Sequence, residues 1–254
     1  MPFDILTLIW IGAVFLLGGT VKGVIGLGLP TIALGLLAAT LDIRAAMALL
    51  LVPSFATNVW QVASGGHLRE LLRRLWPFLG CAAVAVWFGS AALRGTDAGW
   101  LAALLGLLVV AYAVLGLTRP AFHLAPGREA VAGPLVGIVN GILTGLTGSF
   151  VVPGVLYLQA LGLGRDALVQ GMGMLFMTST IALAVALGGH GLLPTSLLGT
   201  SALAVVPALI GMSAGRRLRG RLSEAAFRRV FFWALLVLGL YIIGEHALAG
   251  WSGR

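Results

Sequence analysis

The chain has 254 residues, of which 59% are hydrophobic and only 9% are charged, and its mean hydropathy is +1.05. Soluble domains carry about a quarter charged residues, so this composition excludes a water-soluble globular protein. The net charge of +8 does not indicate nucleic-acid binding, because the arginines collect between apolar runs, as is typical of membrane proteins.

Apolar runs of about 20 residues follow one another along the chain, which is the length needed to cross a hydrocarbon core of about 30 Å. We therefore predict an all-α polytopic membrane protein. The first run lacks the basic region and cleavage site of a secretory signal, so we interpret it as a span. The single cysteine, Cys81, excludes an intramolecular disulfide, and no motif indicates a cofactor or a metal site.

The predicted elements form two sets of five. In the first half they cover about residues 5–25, 28–40, 44–64, 75–94 and 100–117. In the second half they cover about residues 131–147, 150–162, 167–188, 194–215 and 226–247. The second element of each set reaches only roughly 20 Å as a helix, which is too short to cross alone. We thus expect about eight full spans plus short broken or re-entrant helices.

Short sequence matches recur in the same order in the two halves. "VKG" (21–23) corresponds to "VNG" (139–141), and "SGGHL" (64–68) corresponds to "LGGHG" (187–191). Their collinearity indicates an internal duplication. We predict a first transmembrane repeat over residues 1–118, a cytoplasmic linker over 119–129 and a second repeat over 130–254.

The basic segments predict how the halves are oriented. Arginines concentrate in residues 66–75, 118–129 and 216–229, which should all be cytoplasmic. Residues 189–194, the repeat partner of the first basic segment, contain no arginine or lysine. An odd number of crossings in each half places all three basic segments on one side, so we predict an inverted repeat.

The first short element begins within "GGTVKGVIGLGLPTIALG" (18–35), which contains Lys22, the only lysine of the chain. This stretch lacks the Gly-Lys-Ser/Thr ending of a phosphate loop, which disfavours nucleotide binding. In a bilayer, backbone leaves the helix only where protein or a water-filled cavity satisfies its polar groups. Corresponding broken segments in two halves point to a transporter's binding site. Pro30 suits the first turn of a helix, and the N–H groups there favour an anion.

The candidate substrate-binding residues lie at the two breaks and on the third elements. Lys22 would supply charge, and the backbone near Gly28 and Ser149 would supply N–H groups at helix starts. The full set is Lys22, Gly23, Gly26, Gly28, Asn58, Gln61, Asn140, Gly141, Thr144, Thr147, Gly148, Ser149, Thr178 and Ser179. Alternative roles are helix packing for the glycines, snorkelling for Lys22 and interhelical or backbone hydrogen bonds for the polar side chains.

His67 and His190 are repeat-equivalent and could act as proton-responsive gates, although simple solvation is the alternative. Ser149 and His190 could be imagined as a hydrolytic dyad, but nothing in the sequence places them together. We therefore predict that the protein is not an enzyme, with an intramembrane hydrolase as a remote alternative.

The residues described above resemble the TauE/SafE sulfite-exporter family, also called the toluene-sulfonate uptake permease family. The resemblance lies in "GTVKGVIGLGLP", "PSFATNVWQ" and "GIVNGILTGLTGSFVVPGVLYLQALG". It implies a multi-pass carrier of small anions such as sulfite, sulfonates or sulfoacetate in the bacterial cytoplasmic membrane. Family members usually have more glycines where this chain has Leu29, Pro30 and Thr31, so the shape of the substrate stays open.

We predict a secondary transporter that moves such an anion by alternating access around a site formed by both breaks. Export needs no separate energy source, because a negative cytoplasm favours anion exit, whereas uptake would need a coupling proton or sodium ion. An anion channel with the same site is the alternative. The expected partners are the small anion and the lipid bilayer, and the chain could assemble as a homodimer.

Overall fold

The computed structural model describes residues 3–93, 95–118, 123–125, 127–221 and 223–252. Within these residues the backbone is mostly helical and contains no strand. The elements are α1 (Ile5–Ile25), α2 (Leu29–Thr40), α3 (Ile43–Ala63), α4 (Leu68–Ala92), α5 (Ala98–Thr118), α6 (Glu129–Thr147), α7 (Gly154–Ala160), α8 (Arg165–Gly189), a 3-10 helix (Thr195–Leu197), α9 (Leu198–Leu203), α10 (Val205–Arg219) and α11 (Glu224–Ser252).

Among the residues that the structure describes, eight stretches are long and apolar enough to cross a membrane. They are α1, α3, α4, α5, α6, α8, the run Thr195–Arg219 that ends with α10, and Ala225–Glu245 within α11. The short helices α2 and α7 follow α1 and α6 across the two predicted breaks. These findings confirm an all-α polytopic membrane protein with about eight spans plus short helices. Of the predicted linker, residues 119–122 and 126 lie outside the described residues.

Two predicted boundaries are wrong by one or two helical turns. α4 begins at Leu68, so Arg69, Arg73 and Arg74 lie on its first turns rather than in a loop. α10 likewise continues to Arg219. Arginine is a good helix former, and its long side chain can stay in water at the end of a span, so a charged segment need not end the helix.

The chain divides into two compact units. The first unit comprises Met1–Pro53, Gly95–Pro120 and Pro194–Arg254, and the second comprises Ser54–Arg94 and Ala121–Leu193. In the first unit α1 packs against α10, and α5 packs against α11. In the second unit α4 packs against both α6 and α8. Each unit therefore combines elements from both predicted repeats.

Glycines set the closest helix contacts in each unit. On α1, Gly19 and Gly23 lie against the backbone carbonyls of Ala208 and Met212 on α10. No Cβ would fit at either glycine, because it would overlap those oxygens. The interface thus depends on small residues, as the packing alternative predicted.

The second unit repeats this arrangement between α6 and α4. Gly141 and Gly145 lie against the carbonyls of Ala82 and Val86. Helix packing accounts for Gly23 and Gly141, which we expected to border the substrate. Neither glycine is included in the site that we propose below.

Pro53 lies inside α3 and removes one hydrogen bond from the helix. The carbonyl of Leu49, which the missing N–H would have reached, accepts a hydrogen bond of 2.8 Å from Ser201 Oγ. Ser201 Oγ also accepts a bond of 3.3 Å from the N–H of Val52. A buried serine of the first unit therefore satisfies the backbone that the proline disrupts.

Candidate functional site

The first break lies in the first unit, between α1 and α2. α1 ends at Gly26, a left-handed residue with φ of 82°, whose N–H donates to the carbonyl of Lys22 at 2.8 Å. Gly28, with φ of 112°, precedes α2, and Pro30 occupies its first turn. Only glycine adopts such backbone angles without strain, so the glycines of the sequence stretch make the break.

Lys22 lies in the last turn of α1 and is 2% exposed. Its side chain therefore does not snorkel to the surface, which was the alternative role. The neighbouring Gly23 packs against the backbone N of Arg216 on α10, so a second cationic residue is placed beside this turn. Burial of a lysine in a membrane span is costly, and such residues usually mark a functional site.

Thr31 in the first turn of α2 adds a polar atom that the sequence analysis did not select. It is 5% exposed, and its Oγ1 has no hydrogen-bond partner among the residues that the structure describes. The N–H groups of a first helical turn also have no partner within the helix. The first break thus combines a buried lysine, a helix start and a buried hydroxyl.

The second break lies in the second unit, between α6 and α7. Gly148 is left-handed with φ of 73°, and its N–H donates to the carbonyl of Thr144 at 2.7 Å. Thr144 Oγ1 donates to the carbonyl of Ser149 at 2.9 Å, while Thr147 Oγ1 donates to Leu143 of its own helix at 2.7 Å. The two threonines therefore hold the backbone of the break.

The second break ends further along the chain than predicted. The N–H of Ser149 donates to Thr147 Oγ1 at 3.2 Å, and α7 begins only at Gly154. Our expectation that Ser149 provides N–H groups at a helix start was wrong, because Gly148–Pro153 has an irregular backbone. The N–H of Gly154 donates to Asn140 Oδ1 at 2.9 Å, so this helix start is already satisfied by a side chain.

The two breaks correspond at the left-handed glycines that end α1 and α6. They do not correspond at the sequence matches "VKG" and "VNG". Lys22 and Thr144 both accept the hydrogen bond of the left-handed glycine that ends their helix. In the sequence, "VKG" and "VNG" placed Lys22 opposite Asn140, which lies one turn earlier on α6. The lysine of the first break therefore corresponds to a threonine in the second.

Two buried polar atoms, one on α6 and one on α8, have no hydrogen-bond partner within the described part of the chain. They are Nδ2 of Asn140, which is fully buried, and Oγ of Ser179 on α8, which is 1% exposed. A Cβ on Gly154 would lie 2.7 Å from both Asn140 Oδ1 and Leu175 Cδ2. Ser179 follows Leu175 by one turn of α8, so it lies on the face of α8 that carries Leu175.

The predicted polar residues of α3 contact α8 within the second unit. Asn58 Nδ2 donates to Ser54 Oγ at 3.1 Å, and Ser54 Oγ lies 3.1 Å from Thr180 Oγ1. Thr180 in turn donates to the carbonyl of Phe176 at 2.7 Å. This directed chain binds the two helices together. Ser54 was not selected from the sequence, because its partner Thr180 is distant along the chain.

Gln61 forms a second link between the same helices. Its Nε2 donates to the carbonyl of Val169 at 2.7 Å, while Nε2 of Gln170 donates to the carbonyl of Val62 at 2.6 Å. The two glutamines thus make a reciprocal pair, of which the sequence analysis identified only Gln61. Thr178 of the predicted set is only half-buried on α8.

The two predicted gate histidines lie at helix ends of the second unit. His67 precedes α4 and its Nδ1 lies 3.8 Å from the carboxylate of Glu70. His190 follows α8, and its ring lies against Trp87, with centroids 4.4 Å apart and planes tilted by 45°. Their role as gates stays a prediction. Among the described residues, no group of three or more His, Cys, Asp or Glu side chains could hold a metal ion.

Comparison with models of protein families identifies the family of this chain. The family model described as "Sulfite exporter TauE/SafE" matches residues 11–242, which is nearly the whole chain. The chain belongs to this family of membrane transporters. Comparison with curated proteins and with solved structures gave no match.

Proposed function

We propose that the protein is a secondary transporter that moves a small anion, such as sulfite, a sulfonate or sulfoacetate, out of the bacterial cytoplasm by alternating access. The observation that carries the proposal is Lys22, a buried lysine placed in a membrane span next to a break in the helix. Membership of the sulfite exporter family supports the same class of substrate.

The first break supplies the charge in this proposal. The ammonium group of Lys22 attracts an oxyanion, and the N–H groups at the start of α2 carry partial positive charge. The hydroxyl of Thr31 adds a donor in the same turn. An anion bound here would offset the cost of burying the lysine.

The second break, which lies in the second unit, has neutral donors of its own. Asn140 Nδ2 and Ser179 Oγ–H are buried and have no partner in the described chain, so each can donate to an anionic oxygen. Thr144, Thr147 and Ser149 hold the backbone beside them, and Gly148 provides the turn. Asn58 and Gln61 position α3 against α8, which carries Ser179.

Transport from proteoliposomes tests the proposal. Purified protein is reconstituted, and efflux of sulfite, sulfoacetate and sulfate is compared for wild type and Lys22→Met. Methionine keeps the length and apolar stem of the side chain but removes its charge. We expect efflux of the transported anion to fall at least about tenfold, because one charged interaction contributes more than about 1.4 kcal/mol.

Arg217→Met is the matched control, since it removes one positive charge from the exposed end of α10. It should leave efflux near the wild-type rate. Unchanged efflux in Lys22→Met protein that is still folded would remove the lysine from the site. Saturable flux that is stimulated by substrate on the opposite side identifies a carrier, whereas a channel would show neither property.

A further inference from the structure

A basic recess opens at the start of α4. Its cavity has a volume of about 720 Å³ and is lined by Gly66, His67, Arg69, Glu70, Arg73 and Arg74. Arg74 forms a bidentate ion pair with Glu129, with distances of 2.8 and 2.6 Å. Within the described part of the chain, no acidic side chain lies within ion-pair distance of Arg69 or Arg73. The recess therefore keeps two exposed guanidinium groups available for an anion.

An apolar groove begins about one turn further along α4 and lies between α4 and α6. Its volume is about 640 Å³, and its walls are almost wholly apolar. From α6 it is lined by Pro134, Ile138 and Ile142, which recur every four residues and so share one face. Gly80 on α4 leaves open space, since a Cβ there would meet no atom within 4 Å.

The two features lie on one face of one helix. Arg69, Arg73, Trp76, Gly80, Val84 and Phe88 are spaced by three or four residues along α4. Trp76 and Phe88 are each 66% exposed, and Trp76 lines the end of the groove that is nearer to the arginines along α4. Exposed tryptophan is typical of the boundary between headgroups and acyl chains.

The dimensions match one leaflet of a bilayer. Pro77 and Phe88 are eleven residues apart along the helix, which is a rise of about 16 Å. Half of a hydrocarbon core of about 30 Å is about 15 Å. The groove is thus as long as the acyl layer of one leaflet, with cationic side chains at its end.

We propose that the first turns of α4 and the groove between α4 and α6 bind one anionic phospholipid. Its phosphate lies against Arg69 and Arg73, and one acyl chain lies in the groove. Arginine-rich recesses beside transmembrane helices are suited to anionic headgroups, and the basic segments of a membrane protein face the cytoplasmic leaflet. This site lies in the second unit and is independent of the proposed anion transport.

Native mass spectrometry of delipidated protein in detergent tests the headgroup. Binding of palmitoyl-oleoyl phosphatidylglycerol is compared with that of the phosphatidylcholine of the same chains. We expect wild type to prefer phosphatidylglycerol, and Arg69→Gln/Arg73→Gln to weaken that binding by about 30-fold, taking about 1 kcal/mol for each arginine. Arg217→Gln/Arg221→Gln is the matched control, because it removes two exposed arginines at the same spacing elsewhere. An equal loss in the control would overturn the proposal.

Cys81 reports on the acyl chain. It is the only cysteine of the chain, and it lines the groove. We expect phosphatidylglycerol to slow its alkylation by N-ethylmaleimide, measured as intact mass, at concentrations where phosphatidylcholine does not. The Arg69→Gln/Arg73→Gln variant should lose this difference.

Two results would overturn the assignment of the groove. Equal protection of Cys81 by both lipids in wild type would show that the arginines select no headgroup. If the alkylation of Cys81 slowed with rising protein concentration and did not depend on added lipid, a second copy of the chain would cover the groove.

Discussion

Ser179 is buried, yet its hydroxyl has no hydrogen-bond partner among the described residues. Ser54 is equally buried but bonds to both Thr180 and Asn58. A buried polar group without a partner costs about 1–3 kcal/mol, so it is retained only if something else uses it. The two serines therefore allow the proposed ligand-binding role of Ser179 to be compared with the structural role of Ser54.

We predict that Ser179→Ala impairs transport without reducing stability. The variant loses a donor to the anion, and we expect the half-saturating substrate concentration to rise roughly tenfold or more. Thermal unfolding in detergent should occur at the wild-type temperature or above it, because no internal hydrogen bond is lost. Flux in proteoliposomes and the unfolding temperature are measured on the same preparations.

Ser54→Ala is the control, for which we expect the opposite result: reduced stability without a direct loss of substrate binding. It breaks two buried hydrogen bonds and should reduce the unfolding free energy by about 1 kcal/mol or more. If Ser179→Ala also lowered the unfolding temperature while transport at saturating substrate stayed normal, Ser179 would be structural.

At the scale of the helices, glycines rather than large apolar residues determine how closely α1 approaches α10 and α6 approaches α4. Helix association in lipid gains little from the hydrophobic effect and depends on close packing. The packing glycines recur at every fourth residue on both α1 and α6. Substitution at these positions should therefore act on stability first.

We predict that Gly19→Ala destabilises the first unit. Its Cβ would overlap the carbonyl of Ala208, so α1 and α10 must separate, and overpacking of this kind costs about 1–3 kcal/mol. Gly12→Ala on the same helix is the control, since its Cβ would meet no atom within 4 Å. The unfolding temperature should fall for Gly19→Ala and stay constant or rise for Gly12→Ala. Equal temperatures for both variants would contradict the described α1–α10 contact.

The sequence predicted the helices and breaks well, because apolar length and glycine-proline patterns act locally. It placed the start of α4 at Leu75 instead of Leu68, since charge alone does not end a helix. It placed the start of α7 near Ser149 instead of Gly154, since the irregular backbone there is held by Thr147 and Asn140. Side-chain acceptors of this kind follow from tertiary contacts and leave no periodic signal.

At the scale of the whole molecule, each compact unit draws helices from both predicted repeats. Sequence matches revealed collinear segments, but they could not show that α1 pairs with α10 or that α4 pairs with α6. These partners are far apart along the chain, and their contacts involve glycine backbone, which carries little sequence information. The sequence analysis identified Gln61 but not its partner Gln170, because the hydrogen bonds of this pair join segments far apart along the chain.

The charge balance of the proposed cycle predicts how membrane voltage acts on transport. With Lys22 protonated, a singly charged anion makes the loaded site neutral and leaves the empty site positive. One complete cycle without a coupling ion still moves one negative charge outward. A negative interior therefore drives export by about 2.3 kcal/mol per 100 mV, which is about tenfold in concentration for every 60 mV.

We therefore predict that a potassium diffusion potential, set with valinomycin in proteoliposomes, distributes a singly charged substrate toward the positive side. At about 120 mV the steady-state ratio should approach about 100-fold for wild type, and empty liposomes should show none of this distribution. Imposed proton or sodium gradients at zero voltage should produce no accumulation. Accumulation driven by either gradient would instead show that the protein couples the anion to that ion, and uptake would then become the favoured direction.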